Sequence, residues 1–209
     1  MKIVVIGASR GVGRCIVELA LSQGHHVTAA VRDPSSIRIA HERLRIVRCD
    51  VLDTAAVGEA IAGQDAVLCT LGTSDKGPVT LYSTGARNIV LEMKKQRVRR
   101  LVFLSNFGVL GERAKGLRTN VLLFLVKRLL HRTVADHRRA LDLIQEHAPE
   151  WVAVRPLPLT HSNWTGSYRV AVEGIPDHGT RIARADVADF MLRQASSDAY
   201  LYKIPSIAY

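Results

Sequence analysis

Lys2-Ile3-Val4-Val5-Ile6-Gly7-Ala8-Ser9-Arg10-Gly11-Val12-Gly13 is the stretch on which the fold turns. Lys2 to Ile6 reads as a buried strand, Gly7 to Gly13 as a glycine-rich turn, and Arg14 to Gln23 as a helix. A strand that turns on glycines into a helix N-terminus brings unpaired N–H groups and the positive end of the helix dipole to one point. Side-chain-free residues let a diphosphate approach that point, so the pattern predicts a dinucleotide site. Its spacing is Gly-x3-Gly-x-Gly rather than Gly-x-Gly-x2-Gly.

Arg32 follows Gly13 by nineteen residues, at the end of the next strand. An NAD-binding chain carries an acid there for the ribose hydroxyls; a guanidinium, with Arg10 inside the turn, suits a 2′-phosphate and predicts NADP. Asp33 is the competing residue, either as a ribose contact or as the start of a turn with Pro34.

Working outward, short apolar strands alternate with longer helices. Strands are expected at His26–Val31, Leu44–Cys49, Ala66–Leu71, Leu101–Ser105 and Trp151–Val154. Helices are expected from an Asp53-Thr54 cap to Ile61, over Val79–Gln96, and over Thr133–His147, the last preceded by a helical tract with Leu117, Val121, Phe124 and Leu125. This rhythm predicts an α/β fold of a single domain, residues 1–209: a doubly wound, Rossmann-like parallel sheet with helices on both faces. Right-handed crossovers then gather the strand C-termini at one crevice.

The loops expected to line that crevice follow the strands. Asp50 can accept from an adenine amino group while Val51 packs on the ring, or both belong to a helix-entry turn. Leu71-Gly72-Thr73 lets backbone lie against the middle of the cofactor, and Ser105-Asn106-Phe107 brings hydroxyl, amide and ring near the nicotinamide. Pro156 and Leu157, in a rigid apolar segment, suit the carboxamide. The cofactor set is thus Gly7, Ser9, Arg10, Gly11, Val12, Gly13, Arg32, Asp50, Val51, Leu71, Gly72, Thr73, Ser105, Pro156 and Leu157.

Composition excludes several classes. With 209 residues, 47% of them hydrophobic, and seven prolines, the chain has enough apolar material for a core and is not disordered. No apolar run approaches the roughly 20 residues that span a membrane. The chain enters its first strand at once, leaving no room for a signal peptide. Cys15, Cys49 and Cys69 have no metal-ligand spacing and read as core residues of a reduced, cytoplasmic protein. The net charge of +10 raises nucleic acid as a partner, but the basic residues are dispersed and aromatics are only 5%. An anionic small-molecule acceptor beside an anionic cofactor accounts for part of the excess, and a solvated basic surface for the remainder.

Several blocks resemble the atypical short-chain dehydrogenase/reductases with NAD(P)H-binding, NmrA-like folds. They are the glycine turn, Val31-Arg32-Asp33, Cys49-Asp50-Val51, Gly85-Ala86-Arg87-Asn88-Ile89-Val90, Arg100 to Ser105, Val154-Arg155-Pro156 and Ile182-Ala183-Arg184-Ala185-Asp186-Val187-Ala188. The C-terminal third, with Trp151 to Val154, Trp164 to Val170 and Asp189 to Arg193, is similar to the biliverdin reductase B, or flavin reductase, branch.

The resemblance implies hydride transfer from NADPH to a flavin or linear tetrapyrrole. It also implies catalytic roles for a serine after strand five, matching Ser105 or Asn106, and for a loop histidine whose position is taken by Pro158, with His161 three residues later. His161 is a candidate proton donor, or a surface histidine. Trp164 either stacks on an aromatic substrate or plugs the lobe. Phe107, Trp164 and Arg113 are the substrate candidates, Arg113 forming a cationic segment with Lys115 and Arg118. The substrate lobe is expected from loops around residues 106–120 and 156–180. His137, between Asp136 and Arg138, reads as a packing or solvated residue.

No tyrosine has a lysine four residues on, so the acid of ordinary alcohol–ketone dehydrogenation is missing. A redox-sensing regulator that binds NADP without turnover, and a biosynthetic ketoreductase or epimerase, are the alternatives.

Overall fold

The computed structural model describes residues 1–72, 80–110 and 131–209. Strand β1 (Lys2–Ile6) lies inside the sheet, and every residue of it after Lys2 is buried. Its side chains alternate between two cores: Ile3 and Val5 face one layer, Val4 and Ile6 the other. A strand buried on both sides reads as a continuous apolar run for this reason.

The chain runs outward from β1 to β2 (His26–Val31) and β3 (Leu44–Arg48). It then returns to the other side of β1 through β4 (Ala66–Cys69), β5 (Arg100–Leu104) and β6 (Glu150–Pro156). All these pairings are parallel. Beyond β6 the sheet gains β10 (Ser206–Ala208), parallel, and β8 (Arg169–Ala171), antiparallel, for an eight-stranded order of 3-2-1-4-5-6-10-8. A separate parallel ladder joins β7 (Leu159–Thr160) to β9 (Ile182–Ala183). The reversal of strand order between β1 and β4 is the switch point, where a crevice opens at the strand C-termini.

Helices cover both faces. Helix α1 (Gly11–Ser22) presents Val12, Ile16, Val17, Ala20 and Leu21 to one core, shared with Val187, Ala188 and Met191 of α5 (Arg184–Arg193). Helices α2 (Thr54–Ile61), α3 (Leu81–Gln96) and α4 (His131–His147) fill the opposite core, with Val57, Ile89, Met93, Leu141 and Ile144. Among the described residues no helix is long and apolar enough to cross a membrane.

The expected α/β architecture is present, with shifted edges. Helix α1 begins at Gly11 rather than Arg14, because the second and third glycines form its first turn. Asp53 caps α2 as expected, accepting from the Ala55 and Ala56 N–H groups at 2.9 and 3.2 Å. Strand β4 stops at Cys69, two residues before the expected end, and β6 runs from Glu150 through Pro156. Val79, Thr73, Arg113, Lys115, Arg118 and the tract holding Leu117, Val121, Phe124 and Leu125 lie outside the described residues.

Candidate functional site

A cleft of about 550 Å³ opens over the C-terminal ends of β1 to β5. Its floor is the glycine turn. Gly7 takes a φ of +87°, and a Cβ there would come within 2.7 Å of the Thr70 carbonyl oxygen. Gly13 sits tighter still: a Cβ would press into the Gly7 carbonyl and the Thr70 hydroxyl. The Thr70 Oγ1 itself donates toward the Ile6 and Gly7 carbonyls, at 3.1 and 3.2 Å. Gly13 is therefore the contact that lets α1 start directly against β1 and β4, and it lies behind the cleft rather than in it. Unlike α2, which Asp53 caps, helix α1 has no side-chain cap, and it has no acid in its first turn, so its leading N–H groups and dipole are left for an anion.

Ser9, Arg10, Gly11 and Val12 line the mouth of this turn, and Arg32 lines the adjoining wall. Arg10 and Arg32 are both exposed. Asp33 points elsewhere: its carboxylate caps the single 3-10 turn Pro34–Ser36, accepting from the Ser35 N–H and hydroxyl at 3.0 and 2.8 Å. Those hydrogen bonds hold its pKa below the usual carboxylate value.

The next wall combines Cys49, Asp50 and Val51 with Leu71 and Gly72. Asp50 takes the turn role, its Oδ1 accepting from the Leu52 N–H at 3.0 Å, and it also lines the cleft. Val51 is held from behind, where the Asn88 amide donates to its carbonyl at 2.9 Å. Gly85 makes the room, since a Cβ there would lie 2.9 Å from both Val51 and Leu71 side-chain carbons. The Gly85-to-Val90 block is thus the support for this wall. Burial pushes the Cys49 thiol up to about 11, so it stays protonated and apolar.

Leu81, Leu104, Leu159 and Arg184 complete the lining; Leu159 closes the apolar segment that holds Pro156 and Leu157, Leu104 and Arg184 fall in blocks of the resemblance, and none of the four carries a site role in the sequence reading. Leu81 opens α3, whose N-terminus is capped across the core by Asp136 of α4. That fully buried carboxylate accepts from the Tyr82 N–H at 2.8 Å and the Ser83 hydroxyl at 2.5 Å, and pairs with Arg139 at 3.0 Å. Beside it His137 stacks on Tyr82, ring centroids 3.7 Å apart, and burial pushes its imidazole down to about 4. His137 is a packing residue.

The remaining candidates stand away from the cleft lining. Ser105 is buried, and its hydroxyl has no hydrogen-bond partner among the described residues. Asn106 and Phe107 are half-buried on the following turn. Pro156 lies within β6, and the Leu157 N–H donates to the Ile207 carbonyl at 3.1 Å, so that backbone is committed to β10. His161 is exposed. Trp164 is 58% exposed, on a loop pinned by Asp186, which accepts from the Thr165 and Gly166 N–H groups at 3.0 and 2.8 Å. Among the described residues no cluster of His, Cys, Asp or Glu could hold a metal ion.

A parallel sheet with order 3-2-1-4-5-6, a glycine turn at the switch point and an uncapped helix behind it define a dinucleotide-binding Rossmann-like domain. The chain belongs to the NAD(P)H-binding family, whose profile matches residues 7–198.

It is 33% identical over 114 residues to cinnamoyl-CoA reductase 1 of Oryza sativa subsp. japonica, a stretch covering 50% of this chain and 34% of that protein. It is 28% identical over 215 residues to the uncharacterized chloroplastic protein At2g34460 of Arabidopsis thaliana, covering 99% of this chain and 76% of that one. The match therefore spans only about a third of the rice reductase's own length. Among solved structures, a short-chain dehydrogenase/reductase of Veillonella parvula, in complex with NADP, superposes with a TM-score of 0.80 at 17% identity. That superposition covers 100% of this chain and 94% of that one.

Proposed function

We propose that this protein is an NADPH-dependent reductase that passes hydride to a conjugated, anionic acceptor of the flavin or linear tetrapyrrole type. The observation that carries the cofactor half is the division of labour at the end of β2. Arg32 faces the cleft with Arg10 nearby, while Asp33, the one acid that would serve a free ribose, is occupied by its own turn. The NADP bound by the Veillonella parvula relative supports the same choice.

Bound in the cleft, the nicotinamide supplies hydride; the protein's part is to seat it and the acceptor in a dry, fixed geometry. Gly11 and Val12, at the start of α1, would offer their N–H groups to the diphosphate, Val51 and Leu71 would pack the adenine side, and Leu104 and Leu159 would form an apolar wall for the ring. The unpartnered Ser105 hydroxyl, at the end of β5, is the group available to orient the carboxamide or acceptor. The tyrosines also favour a conjugated acceptor. Tyr168 donates to Asp189 at 2.7 Å, and burial together with that carboxylate raises its pKa, the opposite of what a tyrosine acid needs. An acceptor that takes its proton from solvent does not require one.

The test is to mix protein with NADPH and FMN and follow loss of reduced-nicotinamide absorbance, with NADH and no-enzyme controls. Enzyme-dependent oxidation that prefers NADPH, and loses that preference in Arg32→Asp, is the expected result. NADPH binding without turnover of flavin or tetrapyrrole moves the protein to the redox-sensor reading.

A further inference from the structure

We infer that Arg184, reaching over from the C-terminal lobe, clamps the diphosphate of the bound dinucleotide against the first turn of α1. This inference rests on the cleft being a dinucleotide site, as proposed above.

Arg184 is the first residue of α5, more than 170 positions from the glycine turn in sequence, yet it lines the same cleft. An ideal Cβ built on Gly11 would lie 3.9 Å from its Nε. Its Nη1 donates to the Thr160 carbonyl at 2.9 Å, which fixes where the guanidinium sits. That is its one hydrogen bond among the described residues, and no carboxylate there lies within ion-pair distance of it. A guanidinium carries five N–H donors, so most of its capacity is uncommitted.

What it faces decides the argument. The N-terminus of α1 has no capping side chain and no acid in its first turn. A helix N-terminus and a guanidinium are both positive, and their apposition across a cleft is unfavourable unless an anion sits between them. At Gly11, which lines the cleft, even an added Cβ would meet nothing nearer than Arg184 at 3.9 Å, so the space between the turn and the guanidinium is open to a group approaching the backbone. Arg184 supplies forked donors to the outer oxygens of the anion while the α1 N–H groups take the inner ones. Because the Thr160 carbonyl belongs to the β7–β9 ladder, the same contact ties the C-terminal lobe to an occupied cofactor site.

The experiment measures binding of NADP+, NAD+ and adenosine 2′-monophosphate to wild type, Arg184→Met and Arg184→Lys. Methionine keeps the unbranched apolar stem, and melting temperatures confirm that each variant is folded. Adenosine 2′-monophosphate carries the adenine and 2′-phosphate but no diphosphate.

Arg184→Met is expected to weaken the preferred dinucleotide about tenfold or more, the scale of a lost charge-assisted pair. Binding of adenosine 2′-monophosphate should change less than about twofold, and Arg184→Lys should recover part of the loss. Unchanged dinucleotide affinity in Arg184→Met overturns the clamp. Equal weakening of all three ligands overturns it too, by making the role structural. A raised acceptor KM with dinucleotide affinity intact assigns the cation to the acceptor instead, and also overturns it. If wild type prefers NAD+, the 2′-phosphate reading fails, while the effect of Arg184→Met on NAD+ still decides the clamp. If wild type binds no dinucleotide, both fall.

Discussion

Acidification should destabilise this protein through one buried imidazole. His137 is 4% exposed, stacked on Tyr82 and edge-on to Phe103 at 6.2 Å, and burial lowers its pKa to about 4, with Asp136 partly opposing the shift. In the unfolded chain a histidine titrates near 6.5. Between those values the unfolded state takes up a proton that the folded state refuses. Stability is therefore complete above about pH 6.5 and falls as the pH drops toward 4. At 1.36 kcal/mol per pH unit, that gap amounts to a loss of about 3 kcal/mol.

Asp33, whose pKa is lowered by its Ser35 hydrogen bonds, acts only at more acid pH. His25 is lowered by burial and then by the N-terminal amine, so it adds a smaller loss in the same window. Urea denaturation of wild type and His137→Phe at about pH 7 and about pH 4.5 isolates the effect. The phenylalanine keeps the stack on Tyr82 and carries no proton. Wild type should lose about 2–3 kcal/mol more than the variant between the two conditions. Equal losses would refute the assignment of this pH dependence to His137.

Three further outcomes follow from contacts in the same structure. Asp136→Ala removes the acceptor for the Tyr82 N–H and the Ser83 N–H and hydroxyl, and should cost about 2–4 kcal/mol, seen as a lower urea midpoint. A change under about 0.5 kcal/mol would mean α3 is capped in another way. Gly13→Ala forces a methyl into the Gly7 carbonyl and should lower Tm by roughly 3–10 °C while weakening dinucleotide binding. An unchanged Tm would show that α1 is free to shift. Gly85→Ala crowds Val51 and Leu71, whose side chains can yield, so a smaller loss of about 1 kcal/mol is expected, with weaker adenosine binding read by titration calorimetry.

Legibility in the sequence followed how local each feature is. The β1–turn–α1 unit could be read because strand burial, glycine spacing and helix start lie within about twenty consecutive residues. Asp53 could be read as a cap because its partners, Ala55 and Ala56, are its neighbours in sequence. The start of α1 was harder: glycine argues against helix locally, and only packing against Thr70 shows why two glycines open this one. Strand β10 is three residues long and contains a serine; it is a strand because β6 offers it an edge. Gly85 and Asn88 lay in a recognisable block, yet their purpose, making room for Val51 and holding its carbonyl, exists only in three dimensions. Arg184 lay in another such block, and nothing near it in sequence points to the glycine turn.

The two halves of the cleft are built by different means, and that bears on the acceptor proposed above. The side with the glycine turn rests on β1 to β4 and α1, where Gly7 and Gly13 pack closely on Thr70. The other side is assembled from Leu104, Leu159 and Arg184, which come from three separate elements, and from a lobe held by buried polar groups. Asp186 gathers the Thr165–Gly166 turn, and the Tyr209 hydroxyl donates to it; Asp189 takes the Tyr168 hydroxyl; Arg155 holds the Ile204 and Gly174 carbonyls. The tyrosines of this lobe that hydrogen-bond these acids are thereby committed to structure with raised pKa values. A ketone needs an acid beside its oxygen as hydride arrives, and these phenols are directed away from that task. A conjugated acceptor disperses the incoming charge and draws its proton from water, so under the proposed reading the lobe need supply no acid, only the Leu159 side of the cleft wall.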